Sequence, residues 1–353
     1  MDRRQFITTS TAALIAAGMP TLAFPAGGPI RIIFDTDPGT DDAMGILLAL
    51  RSPELKIEAI TPVAGNVPLE HTLPNALALL ELAGRTDIPV AAGASVPLTR
   101  TLVTAAYVHG ENGLGGAQLP PPKTRPVAET ASEIIRRIVR QNPGQITIVA
   151  VGPLTNVATA LRADPAIAAM VKAIAIMGGS LSGGNVTPAA EFNFYVDPEA
   201  ARIVFDSGIP LTMVGLDVTR KALFRDEHLK ALQAVNTPVC RFAADMMKRT
   251  LDRFHEDSQA HRAVAMHDPL TVANLIDPGI LTLQDYFVEI ETEGELTAGE
   301  SVGYPGRWRK SAPLAPTPGS IADTTPFKSN AKVAMGVNVD RFFNLLMSRL
   351  TAA

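Results

Sequence analysis

The stretch Arg31-Ile-Ile-Phe-Asp35-Thr-Asp37-Pro38-Gly39-Thr40-Asp41-Asp42 joins an apolar, β-prone run to a helical pattern that begins at Ala43. Residues 30–34 predict a buried strand and residues 43–50 a helix. Between them stand four carboxylates, Asp35, Asp37, Asp41 and Asp42, packed into eight residues. Carboxylates this close repel, and a strand-to-helix junction is a poor place to leave them unpaired. The start of a helix favours negative charge and suits Asp41 and Asp42. A bound cation is the remedy for the others, and ligands offering only oxygen select a hard ion such as Ca²⁺ or Mg²⁺. A plain helix cap with surface acids explains one or two of the four. It does not explain Asp35 and Asp37 at the end of an apolar strand.

Outward from this junction, strand-like and helix-like stretches alternate. Strands are predicted at 56–63, 88–92, 145–151, 173–177, 211–216, 282–291 and 332–337. Helices are predicted at 73–83, 130–140, 198–205, 226–234, 239–254, 268–275 and 340–350, with another from the 152–156 turn to Leu161. This order predicts an α/β fold, a single domain with a mainly parallel central sheet flanked by helices and a Rossmann-like core. The Gly- and Pro-rich segment 97–126 reads as a long functional loop. Residues 255–265, polar and irregular, read as a lid. Ligands of open α/β sheets gather at the carboxyl ends of the strands, where Asp35–Asp42, Asn66, Val151 and 177–193 all fall.

Composition narrows the function. The chain has 353 residues, is 46% hydrophobic and carries a formal charge of -4. It contains no basic block, so nucleic-acid binding has no electrostatic support. No internal apolar run reaches the length of a membrane span. Cys240 is the only cysteine, so no internal disulfide is expected. The first residues, Asp2-Arg3-Arg4-Gln5-Phe6-Ile7, have the twin-arginine form and precede an apolar stretch and small residues near Ala23–Ala26. Residues 1–26 therefore read as an export signal to the periplasm and residues 27–353 as the mature catalytic domain, with no membrane anchor once the signal is removed.

Three further stretches carry chemistry. Met177 to Asn193 places Asn185, Glu191 and Asn193 after a glycine run, and such groups suit a polyhydroxylated ligand. Ala265-Met-His267-Asp268-Pro269 opens a helix with an acid. His109-Gly-Glu-Asn-Gly-Leu-Gly115 lies in the long loop. There is no zinc-protease His-Glu-x-x-His, no Walker loop and no Gly-x-Ser-x-Gly elbow.

The first stretch resembles the Asp-x-Asp-x-Gly-x-Asp-Asp signature of the nucleoside hydrolases (inosine-uridine preferring N-ribohydrolases), and the later stretches match that family in order and spacing. The resemblance implies Ca²⁺ ligation by Asp37, Asp42, the Val151 carbonyl and Asp268, with Asp37 as general base toward a water on the metal. It implies that Asp41, Asn66, Asn185, Glu191 and Asn193 hold the ribose hydroxyls, with Met177 lining the pocket and His109 touching substrate. His267 falls where some members protonate the departing base; a histidine near its intrinsic pKa would be partly protonated at physiological pH. Asp35 would orient the cluster from behind. A homodimer or homotetramer is the expected assembly. Two departures, Asn112 where the family often has Asp and the Trp308-containing segment 301–318, bear on base recognition or loop packing. Two alternatives remain beside ribonucleoside hydrolysis: a non-catalytic periplasmic Ca²⁺-dependent nucleoside or ribose binding protein, and a hydrolase for another base such as that of nicotinamide riboside. The presence of Asp37 argues against the first.

Overall fold

In the first strand, Ile32, Ile33 and Phe34 are each completely buried. Ile32 and Phe34 point into one hydrophobic core and Ile33 into another. A strand covered on both faces needs no polar alternation, which is why 32–34 is an unbroken apolar run, while Arg31 near the strand's start pairs with Glu58 of the neighbouring strand. The computed structural model describes residues 28–257, 262–305 and 328–352. The twin-arginine stretch, Trp308 and the middle of the expected lid lie outside the described residues.

The strands are β1 (Ile30–Thr36), β2 (Leu55–Pro62), β3 (Ile146–Ala150), β4 (Ala173–Met177), β5 (Leu211–Val214), β6 (Leu223–Phe224), β7 (Val264–Ala265), β8 (Leu281–Ile290), β9 (Ser301–Pro305) and β10 (Ala331–Val337). The helices are α1 (Thr40–Leu50), α2 (Leu69–Leu82), α3 (Ala106–His109), α4 (Ala131–Gln141), α5 (Thr155–Ala163), α6 (Phe192–Val196), α7 (Pro198–Phe205), α8 (Leu216–Thr219), α9 (Asp226–Gln233), α10 (Pro238–Asp257), α11 (His267–Ile276) and α12 (Val339–Thr351).

Among the described residues, eight strands form one sheet in the order β2-β1-β3-β4-β5-β10-β8-β9. All neighbours from β2 to β10 are parallel, and β8 and β9 are added antiparallel. The chain runs from β1 to β2 on one side, then returns to place β3 on the other. The reversal opens a crevice between the carboxyl ends of β1 and β3, the point at which such sheets bind ligands. The acidic junction and Val151 both emerge there. On one face α1, α10, α11 and α12 cover Ile32 and Phe34; on the other α4, α5 and α7 cover Ile33.

Several expectations are corrected. Residues 88–92 form no strand; Val90 makes a single parallel bridge to Ile60, because Pro89 has no N–H to extend the ladder. The 211–216 strand stops at Val214, and Leu216 already begins α8. The loop 97–126 contains the short helix α3. The expected lid is partly regular: α10 continues to Asp257, and Val264–Ala265 pairs with β6. The short helix α6 and the strand β9 were not expected at all.

Candidate active site

Pro38 ends β1 and Gly39 caps α1 with an extended backbone. The junction turns so tightly that its acids acquire different partners. Asp42, in the first turn of α1, reaches back to accept the Gly39 N–H at 3.0 Å. It also accepts the Asp37 N–H at 3.1 Å, the Thr36 hydroxyl at 2.6 Å and the Asn66 amide at 2.9 Å. Asp37 is wholly buried; its Oδ2 accepts the Asn66 N–H at 2.7 Å, and its Oδ1 has no hydrogen-bond partner among the described residues. Two glycines make room for it, since a Cβ on Gly65 would lie 2.0 Å from Asp37 Oδ2 and one on Gly152 2.6 Å from Oδ1. Asp35 sits behind, its Oδ2 held by Thr61 at 2.6 Å and Asn156 at 2.8 Å. Its backbone carbonyl accepts the Val151 N–H at 2.8 Å.

From α11, Asp268 completes the cluster. One carboxylate oxygen from each of Asp41, Asp42 and Asp268 falls within a group no wider than 4.8 Å. Burial is the main force on Asp35, Asp37, Asp41 and Asp268, and repulsion from neighbouring carboxylates adds to it in the last three. Burial and the Asp42 charge raise Asp41 to about 8. Asp37 is pushed well up for the same two reasons, Asp268 by burial and the charges of Asp41 and Asp42, and burial raises Asp35 to about 7. Buried carboxylates that repel, one with an unpartnered oxygen, fit a hard divalent cation bound through oxygen. The converging triad contains Asp41 rather than Asp37.

On the other side of the crevice, Glu191 caps α6. Its oxygens accept the N–H groups of Asn193 at 3.0 Å, Gly179 at 3.0 Å and Phe194 at 3.2 Å, while burial raises its carboxyl to about 7. The Asn193 amide donates to the Val151 carbonyl at 2.9 Å and to the Met177 carbonyl at 3.2 Å. Asn185 Oδ1 accepts the Phe192 N–H at 3.0 Å.

Two histidines enter the same space. His109 Nδ1 accepts the Thr40 N–H, the first of α1, at 3.1 Å, which leaves its proton on Nε2 when neutral. His267 Nδ1 lies 2.7 Å from the Thr219 hydroxyl. Burial lowers both rings to about 4. His267 is thus neutral at physiological pH, and the expectation of partial protonation is corrected: the apolar surroundings disfavour the imidazolium.

These groups enclose a cavity of about 300 Å³. Asp41, Asn66, Val151, Met177, Asn185, Glu191, Asn193 and Asp268 line a polar end, while Ala105, Tyr107, Val108, His109, Val264, Ala265 and His267 line the remaining wall. Asp35, Asp37 and Asp42 are not on the cavity surface; they stand behind Asn66 and Asp41. Sequence reasoning missed Thr36, Thr61, Asn156 and Thr219, which hold Asp42, Asp35 and His267. Only Asn156 offered a signal, as a polar residue placed just after a strand-ending Gly-Pro turn.

A mainly parallel sheet whose switch point carries a buried carboxylate cluster beside a small cavity places the chain in the α/β class with its candidate site at the carboxyl ends of the strands. The family model described as inosine-uridine preferring nucleoside hydrolase matches residues 32–344. The chain belongs to that family, and it is an enzyme, a ribonucleoside hydrolase. It is similar to the pyrimidine-specific ribonucleoside hydrolase RihA of Citrobacter koseri, 47% identical over 91% of this chain and 98% of the relative, and to RihA of Escherichia coli, 43% identical over the same shares. Among solved structures it resembles a plant nucleoside hydrolase at a TM-score of 0.83, with 36% identity over 92% of this chain and 100% of the other. A purine-preferring ribonucleoside hydrolase from Gardnerella vaginalis matches at a TM-score of 0.82, with 33% identity over 91% and 98%.

Proposed function

We propose that the enzyme hydrolyses the N-glycosidic bond of pyrimidine ribonucleosides in a Ca²⁺-dependent reaction that yields ribose and free base. Asp37 carries the reading: it is buried, held by the Asn66 N–H on one oxygen, and left with its other oxygen unpartnered beside the converging carboxylates. Asp37, Asp42, Asp268 and the Val151 carbonyl would hold the ion. When bound, Ca²⁺ supplies a positive charge that makes a nearby water more acidic, though less strongly than Zn²⁺ would. Asp37, with its Oδ1 unpartnered among the described residues, would serve as the general base toward the attacking water.

The polar end binds ribose. Asn66, Asn185 and Asn193 offer amides, and Asp41 and Glu191 offer carboxylate lone pairs that remain free beyond the bonds already made. Negative charge here stabilises the positive charge that develops on the sugar as the bond to the base breaks. The base lies along the wall that carries His109 and His267. A neutral His267 supports the leaving base by hydrogen bonding, and the base takes its proton from solvent in balance with the one that Asp37 receives from the attacking water. The pyrimidine preference rests on the two RihA relatives. Residues 1–26 support a periplasmic address, and the family supports a homodimer or homotetramer.

The test is a panel of pyrimidine and purine nucleosides plus nicotinamide riboside, read by ribose release with and without chelator. Turnover of uridine or cytidine that chelator abolishes and Ca²⁺ restores is expected, and Asp37→Asn should lose about 10²-fold or more while staying folded. Release from nicotinamide riboside alone, or chelator-resistant turnover, would overturn the reading. For the address, Arg3→Lys with Arg4→Lys should retain the protein in the cytoplasm; unchanged periplasmic recovery would refute the signal.

A further inference from the structure

The end of α10 grips two segments of the cavity wall with residues that take no part in the chemistry above. The Arg253 guanidinium donates to the Val108 carbonyl at 2.9 Å and to the Gly115 carbonyl at 3.5 Å. These carbonyls flank His109 in the chain. Between them, Gly110 has φ +76, and a Cβ on it would stand 3.2 Å from the guanidinium, so the glycine lets the arginine lie against the loop. His109 in turn takes the first N–H of α1, beside the carboxylates. One residue earlier, Asp252 binds Arg262, which also binds Asp226 of α9 and leads directly into Ala263, Val264 and Ala265 of the wall. A planar, permanently charged fork can hold two carbonyls at once, which an ammonium on a flexible stem does less well.

The loop has other ties besides Arg253. Ala105 N–H bonds to the Asn66 carbonyl at 2.9 Å, and Asn75 bonds to the Asn112 carbonyl at 2.8 Å. Asn112 itself holds residues 114, 116 and 117. Arg253 adds a tie at the segment that faces the cavity, and it does not line the cavity itself. We infer that Arg253 is a positioning residue: by fastening the loop at Val108 and Gly115 to α10, it sets how closely Tyr107, Val108 and His109 meet the base of a bound nucleoside. This rests on the nucleoside reading of the pocket.

The test compares wild type, Arg253→Ala and Arg253→Lys on uridine and cytidine, with free ribose as inhibitor. Ribose occupies the polar end alone, so it reports on general damage. Arg253→Ala should raise KM about tenfold or more, leave kcat within about threefold, and leave ribose inhibition unchanged. Arg253→Lys should fall between the two, and millimolar guanidinium should lower the KM of Arg253→Ala toward wild type. Should the alanine variant fail to fold, the lysine variant and its KM decide the matter. An unchanged KM would overturn the inference, as would parallel losses in kcat and ribose inhibition without guanidinium rescue. Wild-type enzyme that releases no ribose from any nucleoside would overturn the nucleoside reading instead, so the two failures are distinguishable.

Discussion

Single residues decide what this pocket does, and His267 is the sharpest case. Its neighbour Asp268 belongs to the carboxylate cluster, and its Nδ1 is tied to Thr219, 48 residues away in sequence. Burial lowers the ring to about 4, so at neutral pH it acts as a hydrogen-bonding partner. If it serves the leaving base, His267→Ala should slow uridine and cytidine by about 10²-fold. It should spare p-nitrophenyl riboside, whose leaving group needs no proton. Steady-state kinetics on both substrates checks this; equal losses would assign His267 to holding sugar or metal. That Asp41, Asp42, Asp268 and His267 come together at one crevice was legible because each sits in a short, dense motif. Their supports were not. Thr61 and Asn156 reach Asp35 across 26 and 121 residues, and no local pattern marks such a partner. The neutral state of His267 was equally hidden, because burial is a property of the packed pocket.

At the scale of elements, the strand-to-helix junctions place the site, and their glycines make them fit. Gly152 follows β3 and packs against Asp37, where a Cβ would come within 2.6 Å of Oδ1 and 3.1 Å of the Asp37 backbone nitrogen. The backbone contact cannot be relieved by a side-chain rotation alone. Gly152→Ala should therefore displace Asp37 and cost at least about 10²-fold in turnover. The strands of the sheet are joined by backbone ladders that do not pass through Gly152, so the variant should keep a native circular dichroism spectrum. Near wild-type turnover would mean that Asp37 tolerates the shift and is not the base. The elements themselves were largely legible: buried parallel strands such as β1, β3 and β4 are short apolar runs, and amphipathic helices such as α4 and α12 show their spacing. What escaped was set by tertiary context. α6 forms because Glu191, five residues short of its end at Val196, caps its N–H groups. β9 exists because β8 offers it an edge. Residues 88–92 have strand composition, but Pro89 allows only one bridge.

Across the whole molecule, the strand order concentrates negative charge at one crevice, and this links metal binding to stability and pH. Asp35 and Asp41 are raised to about 7 and about 8, and Asp37 and Asp268 also rise, whereas an unfolded Asp titrates near ~3.9. A group whose folded pKa is raised binds more protons when folded than when unfolded. Its stabilising contribution is complete below about pH 4 and is lost as pH climbs through about 7 to 8. Chelator-treated protein should therefore lose thermal stability over that window. A divalent cation binds the ionised carboxylates, so it should restore what ionisation removes, by about 2.7 kcal/mol at 100-fold excess over Kd. The rise in Tm on adding Ca²⁺ should accordingly be larger at pH 8 than at pH 5, and Asp41→Asn, which removes one of the repelling charges, should flatten the decline in chelator. Differential scanning calorimetry at the two pH values, with and without Ca²⁺, measures both. An equal Ca²⁺ shift at pH 5 and pH 8 would show that the ion does not compete with protons for these carboxylates, and the cluster would then be a structural knot of acids rather than the seat of the metal.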